Sequence, residues 1–221
     1  MKKADIHEMF RRLQEGDPEP VGELNYINPY TLLVAVALSA QATDVGVNKA
    51  TGPLFKVVDT PEKMVALGED KLRDYIKTIG LFNTKAKNVY KMAQILVDDY
   101  DGQVPEDADE LIKLPGVGKK TAAVVLNIAF GHPRIAVDTH IFRLSKRTGL
   151  SHAKTADAMM KRLEKIVPEE FLQHAHHWLI LHGRYICKAR KPECHKCVIY
   201  DLCNFKKKTS EDPKLYSAAS G

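Results

Sequence analysis

A lysine at the start of a predicted helix is the side chain best suited to nucleophilic chemistry. Residues 114–122 read Leu-Pro-Gly-Val-Gly-Lys-Lys-Thr-Ala, and Asp138 follows Lys120 by eighteen residues. The first segment predicts a tight turn that opens into a helix and can meet a phosphate backbone. An amine and a carboxylate near such a turn indicate attack on a sugar and not on a phosphate.

The turn itself is predicted from its glycines and its proline. A helix that begins at Asp107 must end before Pro115, because proline disfavours helical geometry in the residue that precedes it. Gly116 and Gly118 permit positive φ and remove Cβ atoms from the surface. A second helix over residues 119–130 would then point its partly positive N-terminus at a phosphate. A helix–turn–helix connection without any ligand fits the same residues.

The four cysteines have a spacing that indicates metal ligation. Cys187, Cys194, Cys197 and Cys203 fall within seventeen residues. In a reducing compartment, cysteines this close together are more often metal ligands than disulfides. Four thiolates can hold either a tetrahedral zinc ion or a [4Fe–4S] cluster. Only one pair is closely spaced, which favours a ligand larger than one ion and leaves zinc as the alternative.

Charge is concentrated in the same part of the chain. The net charge is +5, and residues 184–208 hold eight Lys/Arg and two Asp/Glu, so the remainder has a net charge of −1. A local basic excess favours polyanionic partners through counterion release.

The sequence also indicates the cellular compartment in which the protein is expected. The longest apolar run, residues 32–40, is too short to span a bilayer. The N-terminus fits an amphipathic helix and not a signal peptide. We therefore expect no membrane association and a reducing compartment, cytoplasmic in a bacterium.

Hydrophobic periodicity predicts an all-α fold. Period-two alternation is scarce, and the Asp101-Gly102 pair falls between two predicted helices and not between alternating segments. Residues 30–41 are apolar on all sides and predict a central buried helix. The histidines of the last helix are interpreted as mostly core residues and not as ligands. Helices are predicted over residues 5–15, 30–40, 44–57, 61–67, 69–78, 84–99, 107–113, 119–130, 138–147, 155–166 and 170–185.

These motifs together resemble one enzyme family. Residues 114–122 resemble the hairpin of helix–hairpin–helix DNA glycosylases, and Lys120 with Asp138 matches the catalytic pair of the bifunctional members. The four cysteines match the iron–sulfur motif of the endonuclease III branch. The similarity runs from about residue 25 to residue 205 and includes residues 38–44, 79–81 and 176–185.

The resemblance implies a two-lobed all-α fold. Residues 22–132 would form a helical barrel domain that carries the helix–hairpin–helix at about 107–130. Residues 1–21 and 133–205 would form a second helical domain with a [4Fe–4S] cluster loop, and residues 206–221 a flexible tail. Lys120 would then belong to one lobe and Asp138 to the other, with a cleft between them.

The resemblance also implies a reaction and a partner. The expected activity removes oxidised pyrimidines through attack of Lys120 on C1′ and then cleaves the strand 3′ to the abasic site by β-elimination. Asp138 would act on the proton and on the positive charge that develops on the sugar. The partner would be double-stranded DNA with a damaged pyrimidine or abasic site, bound by a monomer that associates with the nucleoid.

Several residues would contact DNA in such an enzyme, because the damaged base must leave the helical stack. Gln41 would fill the vacated gap, Leu81 would wedge beside the orphan base, and Asp44 would line the base pocket. The remaining candidates contact the backbone from the hairpin, from the helix after Asp138 and from the loop between the first two cysteines: Gly116, Gly118, Lys119, His140, Lys188, Arg190 and Lys191.

Three alternatives compete with this hypothesis. A glycosylase of the same fold with mismatch specificity normally lacks the lysine found at position 120. A DNA-binding module without enzymatic activity would need the hairpin and the cysteine loop but neither Lys120 nor Asp138. An electron-transfer protein would need the cysteines but not the hairpin.

Overall fold

The computed structural model describes residues 1–209, in which helices form all of the regular secondary structure. The all-α prediction is confirmed. The tail predicted at 206–221 lies outside the described residues from position 210 onward. The α-helices are α1 (Lys3–Gly16), α2 (Pro29–Ser39), α3 (Asp44–Leu54), α4 (Pro61–Leu67), α5 (Glu69–Ile76), α6 (Phe82–Asp99), α7 (Ala108–Leu111), α8 (Lys119–Phe130), α9 (Thr139–Thr148), α10 (Ala156–Ile166) and α11 (Leu172–Tyr185).

Helix ends account for most differences from the sequence pattern. α3 ends at Leu54, although helix was predicted to residue 57, and α7 is a single turn of four residues. The last predicted helix begins with a 3₁₀ turn at Glu169–Phe171 before α11. Such terminal turns are common where the last hydrogen bonds of a helix tighten.

The chain divides into two compact units, one of residues 22–132 and one of residues 1–21 with those from 133 onward. In the first unit, α2 is the central helix, because every side chain from Tyr30 to Leu38 is buried. Asn28 begins α2 by accepting a hydrogen bond from Thr31 N at 2.9 Å, and Pro29 occupies the first helical position. α3, α6 and α8 pack against α2 and cover its apolar surface.

The second unit joins the start of the chain to its last third. Phe10 of α1 packs on Phe171 and Trp178, with ring centroids 6.0 and 6.4 Å away. The Trp178 indole also donates a hydrogen bond to the carbonyl of Asp17 at 2.7 Å. Ile6, Met9 and Leu13 of α1 are buried in the same core, so the amphipathic N-terminal helix is a structural part of this unit.

No helix within residues 1–209 has both the length and the hydropathy of a membrane span.

Phe10→Ala should lower the free energy of unfolding of the second unit by about 3–5 kcal/mol, because it leaves a cavity beside two aromatic rings. Trp178 is the only tryptophan, so its fluorescence during urea unfolding reports on this core. Lys3→Ala, at an exposed site on the same helix, should change the midpoint little. Equal midpoints for the two variants would mean that α1 is not part of this folded core.

Candidate functional site

The hairpin between α7 and α8 is anchored by two apolar side chains and exposes the residues around them. Leu114 and Val117 are buried, and Val117 N donates to the carbonyl of Leu114 at 3.1 Å. Gly116 and Gly118 are exposed beside them. The turn therefore presents its backbone outward while its side chains hold it to the core.

The two glycines have different reasons to lack a side chain. Gly116 has a φ of 82°, and a Cβ there would lie 3.3 Å from the Cβ of Asn88 on α6. Gly118 is the N-cap residue of α8, has an extended conformation and makes no side-chain capping bond. A Cβ at this position would have no heavy atom within 4 Å. Gly116 is thus required by the turn and its packing, whereas Gly118 leaves open space at a partly positive helix N-terminus.

Lys120 and Asp138 each occupy the first residues of a helix. Lys119 and Lys120 form the start of α8, and both are exposed. Asp138 is half-buried and caps α9, where its Oδ1 accepts a hydrogen bond from Ile141 N at 2.8 Å. Asp138 therefore has the capping function that its sequence context indicates. The two residues belong to different units of the chain.

Three predicted DNA-contact residues have strained backbones. Among residues 1–209, four non-glycine residues have positive φ, and Gln41 at 55°, Leu81 at 60° and Lys191 at 49° are three of them. A left-handed conformation at a residue with a Cβ costs about 1–3 kcal/mol, and such strain concentrates at functional sites. Gln41 is exposed, and Leu81 is 62% exposed. An apolar side chain held outward on a strained turn has a geometry suited to insertion between bases.

Asp44 and His140 lie at the starts of two other helices. Asp44 is half-buried in the first turn of α3, which Thr43 caps through a bond from Gly46 N at 3.1 Å. His140 is half-buried on α9, and its Nδ1 lies 3.4 Å from an Arg143 guanidinium nitrogen.

The four cysteines are free, half-buried and close enough to influence one another electrostatically. Burial, with smaller contributions from the other three cysteines, raises the pKa of the Cys197 thiol to about 11. Burial and the neighbouring cysteines both disfavour the thiolate form. A positively charged metal core would stabilise the thiolates against both effects, so this donor set fits an iron–sulfur cluster. In residues 1–209, no three His, Cys, Asp or Glu side chains converge as a single-ion site requires.

Two side chains that the sequence pattern did not assign to this region lie beside these sulfurs. The buried His182 has its Nε2 3.3 Å from Cys197 Sγ, and burial lowers its pKa to about 4. Arg147 donates to the carbonyls of Lys188 and Ala189 at 2.6 and 2.9 Å. The signal available in the sequence was the spacing of four between Arg143 and Arg147, which puts both on one face of α9.

The basic residues of the cysteine loop differ in their environments. Lys188 forms an ion pair with Glu193, whose second partner is Lys196 at 2.9 Å. These two ammonium groups lower the pKa of Glu193 to about 2. Arg190 and Lys191 are exposed. The loop therefore has two outward cations, whereas the third predicted DNA contact has an intramolecular partner.

Three histidines of α11 are core residues, as the sequence pattern predicted. His176, His177 and His182 are all buried, and burial lowers the pKa of His177.

Family models match most of this architecture. Residues 34–169 match the HhH-GPD superfamily base excision DNA repair protein model, and residues 187–203 match the iron-sulfur binding domain of endonuclease III. The second match begins at the first cysteine and ends at the fourth.

Individual relatives are similar along nearly the whole chain. Endonuclease III of Escherichia coli (strain K12) is 55% identical over 208 residues, which cover 94% of this chain and 99% of the relative. Endonuclease III of Rickettsia felis is 55% identical over 205 residues, with 93% and 96% covered. A solved structure of a trapped endonuclease III–DNA covalent intermediate superposes with a TM-score of 0.86 at 44% identity, covering 92% of this chain and 96% of that one.

The hairpin lies within the residues that match the HhH-GPD model, and the four cysteines lie within those that match the iron–sulfur domain model. This chain therefore belongs to the endonuclease III family of the HhH-GPD superfamily of base excision DNA repair proteins.

Proposed function

We propose that this chain removes oxidised pyrimidines from double-stranded DNA as a monomer, with Lys120 as the nucleophile. The observation that carries the proposal is the exposed Lys120 on the first turn of α8, directly after the Gly116–Gly118 turn. A lysine in that position can approach a sugar whose flanking phosphates are bound by the hairpin and by the N-terminus of α8.

The reaction class follows from the family. The enzyme is a DNA glycosylase with abasic-site lyase activity, DNA is its partner, and its cofactor is a [4Fe–4S] cluster. The alternatives of a non-enzymatic binding module and of an electron-transfer protein are therefore wrong. The preference for oxidised pyrimidines over mismatched bases is part of the proposal, and an intact Lys120 supports it.

The chemistry assigned to Lys120 accounts for both activities. The neutral amine attacks C1′ as the bond from C1′ to the base breaks, and the base leaves with the bonding electrons and gains a proton. The resulting aminal opens to a Schiff base between Nζ and C1′. Loss of a C2′ proton then expels the 3′ phosphate, which breaks the strand, and water releases the lysine.

Asp138 has two compatible functions in this scheme. As a carboxylate, it can accept the proton that the amine loses and stabilise positive charge on the sugar. As the N-cap of α9, it is held in place by the bond from Ile141 N at 2.8 Å. The cap fixes the orientation of the carboxylate, and the charge supplies the chemistry.

Gln41 and Leu81 are assigned to base extrusion. Both side chains are exposed on left-handed turns of the same unit. Leu81 would occupy the space beside the orphan base, and Gln41 the gap that the extruded nucleotide leaves. Asp44, on the helix after the Gln41 turn, would line the pocket for the extruded base.

The cysteine region is assigned to backbone binding. Cys187, Cys194, Cys197 and Cys203 would hold the cluster, which when bound supplies the cross-link that shapes the loop between the first two cysteines. Arg190 and Lys191 on that loop, with Lys119 and the backbone N–H groups at Gly116 and Gly118, would contact phosphates. The pairing of Lys188 with Glu193 makes Lys188 the weakest of these contacts.

The cellular location is proposed from the same chemistry. Free cysteines, an iron–sulfur cofactor and a DNA partner support the cytoplasm of a bacterium, in association with the nucleoid.

Lys120→Gln should abolish borohydride trapping on a duplex with one thymine glycol and reduce strand cleavage at least about 100-fold. The glutamine amide cannot form a Schiff base with the sugar, so no covalent adduct with DNA can form. The measurement is the yield of protein–DNA adduct on a denaturing gel.

Lys113→Gln is the matched control, because Lys113 is exposed and pairs with Glu110 at 2.6 Å. It should trap at the wild-type yield. Adduct formation by Lys120→Gln at that yield would assign the nucleophile to another residue, and base release without trapping by wild type would indicate water as the nucleophile.

Asp138→Asn should keep the α9 cap and lose the charge, whereas Asp138→Ala loses both. We expect both variants to slow single-turnover base release by about 10²- to 10⁴-fold. Only Asp138→Ala should also cost about 1 kcal/mol of stability, because asparagine caps helices as well as aspartate does. Wild-type activity of Asp138→Asn would limit Asp138 to a capping role.

Arg190→Gln and Lys191→Asn should each reduce the salt dependence of DNA binding. The slope of log K against log salt should become less steep by about 0.9 for each phosphate that the protein no longer neutralises. Asparagine is chosen at position 191 because it tolerates positive φ. Fluorescence anisotropy with a tetrahydrofuran duplex measures the slope, and Lys161→Gln, at an exposed site on α10, should leave it unchanged. An unchanged slope for both loop variants would remove the loop from the interface.

A further inference from the structure

Lys85 is a buried cation that the assigned chemistry does not use. It lies on α6 with 8% of its surface exposed, and its ammonium donates a hydrogen bond to the carbonyl of Leu38 at 2.9 Å. Within residues 1–209 it has no carboxylate partner. Burying a charge without an ion-pair partner is costly, and burial lowers the pKa of this amine accordingly.

The hydrogen bond to the Leu38 carbonyl offsets part of the free-energy cost of burying the Lys85 ammonium. Leu38 is in the last turn of α2, where carbonyl groups lack intrahelical partners and carry partial negative charge. A cation placed there interacts favourably with these carbonyl groups, and it satisfies a hydrogen-bond acceptor at the C-terminal end of the buried helix. The chain then turns at Gln41, three residues beyond Leu38, with a φ of 55°.

One face of α6 adjoins the Gln41 turn, the Leu81 turn and the hairpin. Leu81, Lys85 and Asn88 are spaced by four and three residues, which places them in one row along the helix. Leu81 caps the helix, Lys85 bonds to the end of α2, and Asn88 packs against Gly116 of the hairpin. A Cβ on Gly80 would lie 4.0 Å from the carbonyl of Gln41, so the Gln41 and Leu81 turns are neighbours.

We propose that Lys85 is a positioning residue for base extrusion, which fixes the Gln41 turn against the Leu81 turn by bonding the end of α2 to α6. This inference rests on the proposed function of Gln41 and Leu81. The bond acts where two strained turns must keep a fixed separation, because both side chains would enter the duplex at one extruded nucleotide. A misplacement of about 1 Å in such a constellation can reduce a rate about 100-fold.

The test compares Lys85→Met with wild type in single-turnover base release from a thymine glycol duplex. Methionine fills a similar volume but cannot bond to Leu38, so release should slow about 10- to 100-fold. Lys91→Met is the matched control, because Lys91 is exposed on the same helix. All rates are expressed per active enzyme, with active sites counted by borohydride trapping on a preformed abasic site.

Normalisation separates positioning from a purely structural role. A structural role alone would lower the melting temperature and the trappable fraction while the rate per active enzyme stayed at the wild-type value, and that result would overturn the proposal. Lys85→Arg retains a cationic donor and should recover part of the rate.

A double-mutant cycle with Gln41→Ala tests whether Lys85 affects base release through the Gln41 turn. If Lys85 acts through the Gln41 turn, Lys85→Met combined with Gln41→Ala should be no slower than Gln41→Ala alone. Multiplicative losses would overturn the inference while leaving the proposed role of Gln41 in place. Wild-type release by both Gln41→Ala and Leu81→Ala would instead refute the proposed extrusion roles themselves.

Discussion

The burial of α2, a helix without a polar face, is the constraint on which the 22–132 unit depends. All nine side chains from Tyr30 to Leu38 are buried, so other helices must surround it. α6 and α8 pack directly on this helix. The same two helices begin at the Leu81 turn and at the hairpin. The requirement to cover an apolar helix therefore brings the Leu81 turn and the hairpin onto one scaffold.

The turns solve a common problem by the same physical means. In the proposed function, each would expose a backbone or a side chain to DNA and still resist deformation. The hairpin achieves this by burying Leu114 and Val117 on either side of exposed Gly116. The Gln41 turn follows a helix end that is bonded to a buried ammonium. Exposed strain is tolerated because the adjoining residues are fixed by packing.

Much of this could be predicted from the sequence, because apolar spacing reflects which helix faces are buried. The hairpin and the buried α2 followed from local residue types. The left-handed conformations of Gln41 and Leu81 could not, because they depend on tertiary packing and neither residue is glycine. The burial of Lys85 could not be predicted either, since a lysine normally indicates an exposed position. The pairing of Lys188 with Glu193 likewise depends on how the cysteine loop folds.

The second unit has a consequence for the order in which the chain can fold. Its core joins Phe10 of α1 to Phe171 and Trp178, residues more than 150 positions later. The 22–132 segment contains all of its own core and can fold once it has left the ribosome. α1 must wait until residue 178 has been made before it can bury its apolar face. α1 is therefore synthesised before the 22–132 unit but buried after it, and a nascent chain exposes that apolar face while the whole of that unit is being made.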